Sequence, residues 1–392
     1  MEVVTLGTAA GSPTVKRNVQ SAAVRLASGR TVIVDCGEGT QQQIMKHNQT
    51  HETEKIRNIQ AVLITHLHGD HVFGLPGLMC FIDAAGGPRT PLRVVGPRGL
   101  RAYLRVTLGL SRTELPARGY FVVELLGGPD DTDVFSFDVS GPPHPSERAD
   151  LSHDVAFSGG GEKDELSWRG LFQKDDIEID VDAAPIDHAG IPCVAYAIAE
   201  KPRLGKIDAA KVRAAAQRAN DDPKRIFAAL KNLLHSKDSV FDLKDGSTFD
   251  LTEAFVHATP VLRGPKVVVF GDCRGTRREP ALRLAQNADL ILHEATFDAD
   301  LADLAFQRGH STTCDAGRLA RDVGAPTLVL WHFSHRYAHP DQSWVNTFTQ
   351  QATTCRRHAD DTDLPFNGTV LLAEDFDHFP VVAAKKKPDE TV

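Results

Sequence analysis

Short apolar runs along this chain repeatedly break off at a single polar residue. Thr31-Val32-Ile33-Val34 leads to Asp35, Ala61-Val62-Leu63-Ile64-Thr65 to His66, and Lys266-Val267-Val268-Val269-Phe270-Gly271 to Asp272. Leu290-Ile291-Leu292 leads to His293, and Thr327-Leu328-Val329-Leu330-Trp331 to His332. Continuous runs of this length suit strands covered on both faces, as in a sheet flanked by helices. Polar residues at such strand ends can converge on one rim, where α/β folds place their chemistry. Between the runs, helices are expected over Thr40 to His47, over Glu279 to Ala288 with Pro280 in the first turn, and over Ser311 to Val323. The last has Ser/Thr at its start and Gly324 at its end, a reasonable pair of caps. The fold class that follows is α/β.

Two stretches interrupt this rhythm. Residues 127–182 are Gly- and Asp-rich and carry little periodicity, which predicts an acidic, partly disordered surface insertion. Residues 201–262 predict helices over Ile207 to Ala219 and Pro223 to Leu234, bearing Lys206, Lys211, Arg213, Arg218, Lys224, Arg225 and Lys231. That is a basic helical arm, read either as a solvated face or as a grip for nucleic acid. The chain therefore divides into 1–200 and 263–380 as two halves of one domain, the arm between them, and a frayed tail at 381–392. No internal repeat of fixed period is evident.

Composition narrows the partners. With 41% hydrophobic and 24% charged residues in 392, the chain has an ordinary soluble makeup. A net charge of −8 argues against nucleic-acid binding over the whole surface while leaving room for a local basic patch. No apolar run approaches the ~20 residues that span a bilayer, so no membrane partner is expected. Met1 to Thr5 lacks a basic region ahead of an apolar stretch, which argues against secretion. Cys36, Cys80, Cys193, Cys273, Cys314 and Cys355 are scattered and read as reduced, mostly buried thiols. A cytoplasmic or nuclear location is the expectation.

The chemistry concentrates in His66-Leu67-His68-Gly69-Asp70-His71, directly after a predicted buried strand. Such a loop can aim His66 and His68 at one cation and Asp70 and His71 at a second, with Gly69 providing the tight turn. Imidazole mixed with carboxylate favours zinc. Among the strand-end residues, His188 would complete the His66/His68 site, His332 would complete the Asp70/His71 site, and Asp272 could bridge the two. Each metal then keeps an open position, the mark of a catalytic centre. His47, His51, His144, His153, His235, His257, His335, His339, His358 and His378 are read as surface or structural residues.

These motifs resemble the metallo-β-lactamase superfamily and, within it, the short form of the ribonuclease Z (tRNA 3′-processing endonuclease) family. Val34 to Gln41 matches the family's opening Asp motif, which supports the metal loop without binding metal. Phe270-Gly271-Asp272-Cys273 resembles its Gly-Asp-Thr motif with Cys in place of Thr. His293 to Thr296 and His310 to Thr312 match two substrate-side loops, and His332 to Tyr337 the final His motif. The resemblance covers most of 1–120 and 183–376. Three features depart from it: the lysine of Pro13-Thr14-Val15-Lys16-Arg17-Asn18 is displaced by one, the arm lacks a Gly-Pro-rich hinge, and the acidic stretch is long.

The resemblance implies a metallo-β-lactamase αββα sandwich, two mixed sheets flanked by helices with a protruding arm insertion. It implies two zinc ions per subunit, precursor tRNA as substrate, and a homodimer in which one subunit's arm holds the tRNA cut by the other. Asp70 is then both ligand and base. His293 is the candidate general acid for the ribose 3′ oxygen. Lys16, Arg17, Asn18, Ser311, Thr312 and Arg336 are candidates for substrate binding, Arg336 either on a phosphate or in a structural ion pair. Two alternatives share the metal motif or the fold: a small or cyclic-nucleotide phosphodiesterase (or related hydrolase), and an inactive tRNA-binding paralogue. The second usually lacks metal ligands, whereas all seven candidates are present here.

Overall fold

A computed structural model describes residues 1–86, 90–131, 142–156, 167–172, 178–204, 206–233, 239–256, 261–275, 279–338, 343–356 and 364–383. The chain splits into two compact units. The first comprises Met1–Asp176, Asp180–Ile198 and Pro265–Val392, and the second Ile177–Ile179 with Ala199–Gly264.

The apolar runs of the first unit form two sheets. One has eight strands in the order His378–Pro380, Glu2–Gly7, Ser21–Arg25, Thr31–Val34, Ile59–Leu63, Leu92–Pro97, Tyr120–Leu126, His153–Ala156. It is antiparallel through Thr31–Val34 and parallel beyond. The other has six, in the order Thr369–Leu372, Thr327–Trp331, Leu290–Glu294, Lys266–Phe270, Ile191–Glu200, Ile179–His188. Its last two strands meet in a two-residue turn at Ala189 and Gly190, both with positive φ, the backbone that matches hairpin twist.

Alternation along each strand divides its residues between two buried layers. Val62, Val94 and Val122 pack with Ile44, Leu75, Leu78, Leu100 and Leu104 from the helices Thr40–Thr50, Leu75–Ala84 and Leu100–Leu110. On the second sheet, Val268, Ile291, Leu328 and Leu330 pack with Leu284, Leu319 and Phe348 from Glu279–Ala285, Thr313–Asp322 and Ser343–Thr354. The intervening residues, Ala61, Leu63, Val267, Val269, Leu292 and Val329, belong to neither helix-facing cluster and are fully buried. They turn toward the opposite sheet, where the Tyr196 hydroxyl donates to the Ile64 carbonyl across the interface at 2.8 Å. Four layers result: helices, sheet, sheet, helices.

The predicted helices are present with shifted ends, and their caps explain the ends. Thr313–Asp322 begins in a capping box between Thr312 and Asp315, and Gly324 follows it at φ 66°. The helices Leu75–Ala84, Leu100–Leu110, Ala302–Gln307 and Ser343–Thr354, and the single turn Gly69–Val72, were not anticipated from the sequence. The acidic stretch needs correction. Trp168, Leu171 and Phe172 are buried, and His153–Ala156 pairs in parallel with Tyr120–Leu126, so these parts belong to the fold. Residues 132–141, 157–166 and 173–177 of that stretch lie outside the described residues. The tail is also shorter than expected, because Val381 is buried and donates its amide to Met1 at 3.0 Å. Residues 384–392 lie outside the described residues.

The second unit is not purely helical. Its helices Ala209–Arg218 and Pro223–Asn232 are capped by Asp208 and Asp222. They bury Val212, Ala216, Ile226 and Leu230 with Phe249, Leu251 and Phe255, which come from a small hairpin, Val240–Asp242 with Thr248–Asp250, and the turn after it. Arg213, Arg218, Lys224 and Lys231 are exposed, whereas Arg225 is tied to Asp221 at 2.6 Å. All six cysteines are free, and five are buried. Among the described residues no helix is long and apolar enough to cross a membrane.

Gly317 sits where the helices Thr313–Asp322 and Ser343–Thr354 meet, and a Cβ there would run into the Ala352 backbone. Gly317→Ala should therefore destabilise by about 1–3 kcal/mol through overpacking, against the roughly 1 kcal/mol gain that helix propensity alone predicts. Urea unfolding measures the sign, and a stabilised variant would contradict the close helix contact.

Candidate metal centre

Every side chain of the centre leaves the carboxyl end of a strand or the loop just beyond it. Ile59–Leu63 runs through Ile64 and Thr65 into His66, and the loop continues into a short helix, Gly69–Val72, that presents Asp70 and His71. Gly69 has no positive φ. It opens that helix and carries the Phe73 ring against it, so the expected turn is made by the extended His68 backbone instead. His188 ends one strand, Asp272 follows Lys266–Phe270, and His332 follows Thr327–Trp331. His332 and Asp35 both adopt left-handed backbone, at φ 57°, which turns their side chains sharply at the strand ends.

Two ligand sets result. His66, His68, His188 and Asp272 offer atoms within 4.8 Å of one another, and so do Asp70, His71 and His332. In the first set, His188 Nε2 lies 3.3 Å from His68 Nδ1, and Asp272 Oδ2 is 3.8 Å from His66 Nε2 and 3.9 Å from His188 Nε2. In the second, His71 Nε2 and His332 Nε2 are 3.3 Å apart. Asp70 Oδ2 lies 3.5 and 3.4 Å from them, and Asp272 Oδ1 lies 3.4 and 3.3 Å from them. Asp272 thus turns one oxygen to each set. Donors about 2.0–2.1 Å from one tetrahedral zinc stand roughly 3.3 Å apart, close to the 3.3–3.5 Å of the second set, and the first set is wider at 3.3–3.9 Å. His66 Nε2 and Asp272 Oδ1 are buried without a hydrogen-bond partner among the described residues, as atoms reserved for a cation would be.

Outer contacts fix which nitrogen is free in every ring of the centre except that of His68. His71 Nδ1 donates to Asp35 at 2.8 Å, His188 Nδ1 to the Gly309 carbonyl at 2.8 Å, and His332 Nδ1 to the Thr296 hydroxyl at 2.9 Å. His66 Nδ1 donates to the Thr65 hydroxyl at 3.1 Å, and that hydroxyl in turn donates to Asp35. Asp35 itself is fully buried and also takes the Thr65 amide. The Asp35 loop and the metal loop are laced by Cys36 N to the His71 carbonyl and Gly74 N to the Cys36 carbonyl. Gly37 is required at this approach, since a Cβ there would strike the Asp70 carbonyl.

The electrostatics ask for positive charge. Burial alone would raise Asp70 and Asp272, yet the neighbouring His71 and His332 hold both well below the usual carboxylate range. Burial would lower His71, but Asp272, Asp35 and Asp70 drive it well up instead. His66, buried beside His71, is pushed down and stays neutral. Buried carboxylates that hold their charge and draw up the basicity of His71 make a pocket that divalent cations neutralise.

Several of the residues expected in catalysis or substrate binding are buried or engaged in bonds of their own. His293 is fully buried, bonds its Nδ1 to the Glu294 carbonyl at 2.7 Å and lies tilted against the Phe270 ring. Among the described residues it joins no ligand cluster. The reason is strand parity: His293 shares the helix-facing side with Ile291, and Glu294 takes the other. Arg17 is committed to the Thr8 hydroxyl at 2.7 Å and the Ala373 carbonyl, and Asn18 to the Glu38 carbonyl and Asp375. Ser311 is buried on the Cys273 carbonyl, and Thr312 is consumed in capping. Lys16 and Arg336 remain exposed, and no ion-pair partner of Arg336 is found among the described residues.

Sequence reading placed His310 and Glu294 in two substrate-side loops but gave neither a role. His310 Nδ1 lies 3.1 Å from Glu294 Oε1 and 3.8 Å from Asp272 Oδ2, with the ring beside those of His188 and His332. Burial would lower it, but Glu294 raises it to about 9. Glu294 is held in place by the Cys273 amide at 2.8 Å and the Thr296 hydroxyl at 2.5 Å. The signal was available in the alternation of 290–294 and in the His310-Ser311-Thr312 lead into a helix.

A family model described as anti-Pycsar protein Apyc1 matches residues 1–94, the stretch with Asp35 and His66 to His71. A ribonuclease Z from Synechococcus sp. (strain WH7803) is 35% identical over 353 residues, spanning 90% of this chain and 91% of that protein. The chain belongs to the ribonuclease Z family. The human zinc phosphodiesterase ELAC protein 1 is 35% identical over 348 residues, spanning 86% of this chain and 87% of that one. The crystal structure of human tRNase Z, short form (ELAC1) aligns with a TM-score of 0.61 at 28% identity, over 97% of this chain and all of that one. The metallo-β-lactamase fold protein YhfI of Bacillus subtilis aligns with a TM-score of 0.52 at 15% identity, over 96% and 98%, a likeness of fold alone. The sandwich of this ribonuclease Z family member is accordingly a metallo-β-lactamase fold.

Asp35 belongs to neither ligand set but positions His71 and Thr65 by accepting from both. Asp35→Asn would set an amide against the His71 Nδ1–H and should weaken metal affinity by about 10–100-fold. Chelator competition measures this. Unchanged affinity would remove Asp35 from the support of the centre.

Proposed function

We propose that this chain is a two-zinc endoribonuclease that removes the 3′ trailer of precursor tRNA and leaves a 3′-hydroxyl on the tRNA. The observation that carries the reading is Asp272, with one carboxylate oxygen directed to each of two imidazole-rich ligand sets. His66, His68 and His188 would hold one ion, Asp70, His71 and His332 the other, and Asp272 both. Nitrogen and carboxylate donors without thiolate suit zinc, and a relative bears the name zinc phosphodiesterase. Bound zinc supplies Lewis acidity to phosphoryl oxygens and acidifies water.

The chain's own residues divide the remaining work. Asp70 Oδ2, held by the Gly11 amide at 2.7 Å, is the group that orients the attacking water and takes its proton. Water oxygen forms a bond to phosphorus while the bond to the ribose 3′ oxygen breaks. That oxygen leaves poorly unless protonated, and His310, kept protonated by Glu294 and only partly buried, is placed to donate. Lys16 and Arg336 are the exposed cations offered to the RNA. The Ala199–Gly264 unit, with its own core and exposed Arg213, Arg218, Lys224 and Lys231, is proposed to grip the tRNA by its phosphates, within a homodimer.

The decisive experiment offers 3′-extended tRNA and a small p-nitrophenyl phosphodiester to the same preparation. Wild type should release one discrete trailer, and Asp70→Ala at matched metal content should not. Arg213→Ala with Lys224→Ala should raise KM for the tRNA and leave the small substrate untouched. Turnover confined to the small substrate would replace the tRNA reading with a general phosphodiesterase.

His310→Ala should lower kcat on precursor tRNA by about 10²–10⁴-fold. The loss should be far smaller on the p-nitrophenyl substrate, whose leaving group needs no proton, and metal content should not change. Equal losses on both substrates would show that His310 does not act as the acid.

A further inference from the structure

A second histidine cluster lies apart from the centre described above and shares no residue with it. His47 is buried on the helix Thr40–Thr50, His51 follows one turn later at the helix end, and His378 opens the strand His378–Pro380. One ring nitrogen from each lies within 4.8 Å of the others. We propose that His47, His51 and His378 bind one further divalent transition metal of the zinc class, which clamps the last strand of the first sheet to the first helix.

Hydrogen bonding settles which nitrogen of each ring is free. The Asn48 side chain is oriented by Ile56, whose amide donates to Oδ1 at 2.7 Å and whose carbonyl accepts from Nδ2 at 3.0 Å. The Asn48 oxygen therefore faces His47 Nδ1 at 3.3 Å and makes that nitrogen the donor. His378 Nδ1 points at Glu2 Oε1 at 3.1 Å and Glu54 Oε2 at 3.5 Å, so it too must carry a proton. Both Nε2 atoms are left as lone pairs, and they face each other at 3.0 Å. His51 Nδ1 donates to the His47 carbonyl at 3.1 Å, which leaves its Nε2 free as well.

Two imidazole lone pairs at that distance repel unless a positive charge lies between them. A proton would serve the His47–His378 pair and leave His51 idle. A metal ion serves all three rings, and 3.0 Å is near the spacing of two donors on one zinc. A carboxylate behind a ligating imidazole is the usual outer support of a metal site, and Glu2, itself bonded to Arg25, stands behind His378. His51 is stacked on His47 at 4.4 Å between centroids, so its partly exposed ring must tilt out of the stack to ligate. Histidines four apart at a helix end make that adjustment at small cost.

The location gives the ion a consequence. Just before His378, Asp375 accepts from the Asn18 amide at 2.6 Å, the Thr8 hydroxyl at 2.8 Å and Gln43 at 3.0 Å. Those bonds hold the loop whose Gly11 amide reaches Asp70. A metal clamp on His378 would steady this chain of contacts from behind.

The test is metal stoichiometry on the full-length protein, loaded with zinc, dialysed against metal-free buffer and analysed by mass spectrometry. Wild type should carry one equivalent more than His378→Ala and one more than His51→Ala, with circular dichroism unchanged. Asp272→Ala, which disables only the other centre, should keep this equivalent, so the outcome does not depend on the nuclease reading. Loading with cobalt should show a component of the visible absorption that both histidine variants lose while the absorption of the other centre remains. If His378→Ala fails to fold, His51→Ala decides the matter by itself. Equal metal content in wild type and His51→Ala, with no lost cobalt band, would overturn the proposal and leave a shared proton as the charge between the rings.

Discussion

Asp272 is the constraint on which the rest of the architecture turns. Its carboxylate is almost fully buried, and one oxygen has no hydrogen-bond partner among the described residues. An ionised group in that position costs several kcal/mol unless positive charge meets it. Both faces of the carboxylate meet imidazoles instead, drawn from strands of both sheets. The two sheets must therefore pack so that Thr65, the hairpin at 188–191 and the strand end at 270–272 come together. Val194 donating to the Thr65 carbonyl at 3.0 Å and Tyr196 donating to Ile64 make that joint.

Around this core the protein spends its hydrogen bonds on orientation. Each ligating imidazole except the exposed His68 has its second nitrogen committed to a carboxylate, hydroxyl or carbonyl, so ring flips would break a bond. Glu294 extends the same device. It binds Thr296, which receives His332, and it also holds His310 protonated, so one carboxylate serves both a ligand and the candidate acid. Arg17 and Asn18 belong to this supporting layer too. Their donors point inward to Thr8, Ala373 and Glu38, which leaves the neighbouring Lys16 as the solvent-facing cation of that loop.

The apolar runs and their polar stops were legible because a strand buried on both faces has no freedom in composition, and the residue after it is where the backbone reaches the rim. Asp35, His66, Asp272 and His332 were read correctly as strand ends for that reason. Parity was what the run could not tell at 293 and 294. Adjacent strand residues face opposite layers, and only knowing that Ile291 packs on helices tells which of the pair looks toward the metal centre. The second unit misled in a similar way. Its helices were plain in the sequence, but the hairpin that supplies Phe249 to their core is too short for periodicity to reveal.

The sequence by itself determined the donor set, the strand-and-helix class and the positions of caps, because these depend on residues near one another along the chain. Tertiary structure decided which imidazole nitrogens are free, that Asp272 faces two sites, and that Ser311 and Thr312 are buried supports. It also brought His47 and His51 against His378, more than 300 residues away. Such arrangements depend on how separate strands pack, and local pattern carries no record of the angle at which distant segments meet.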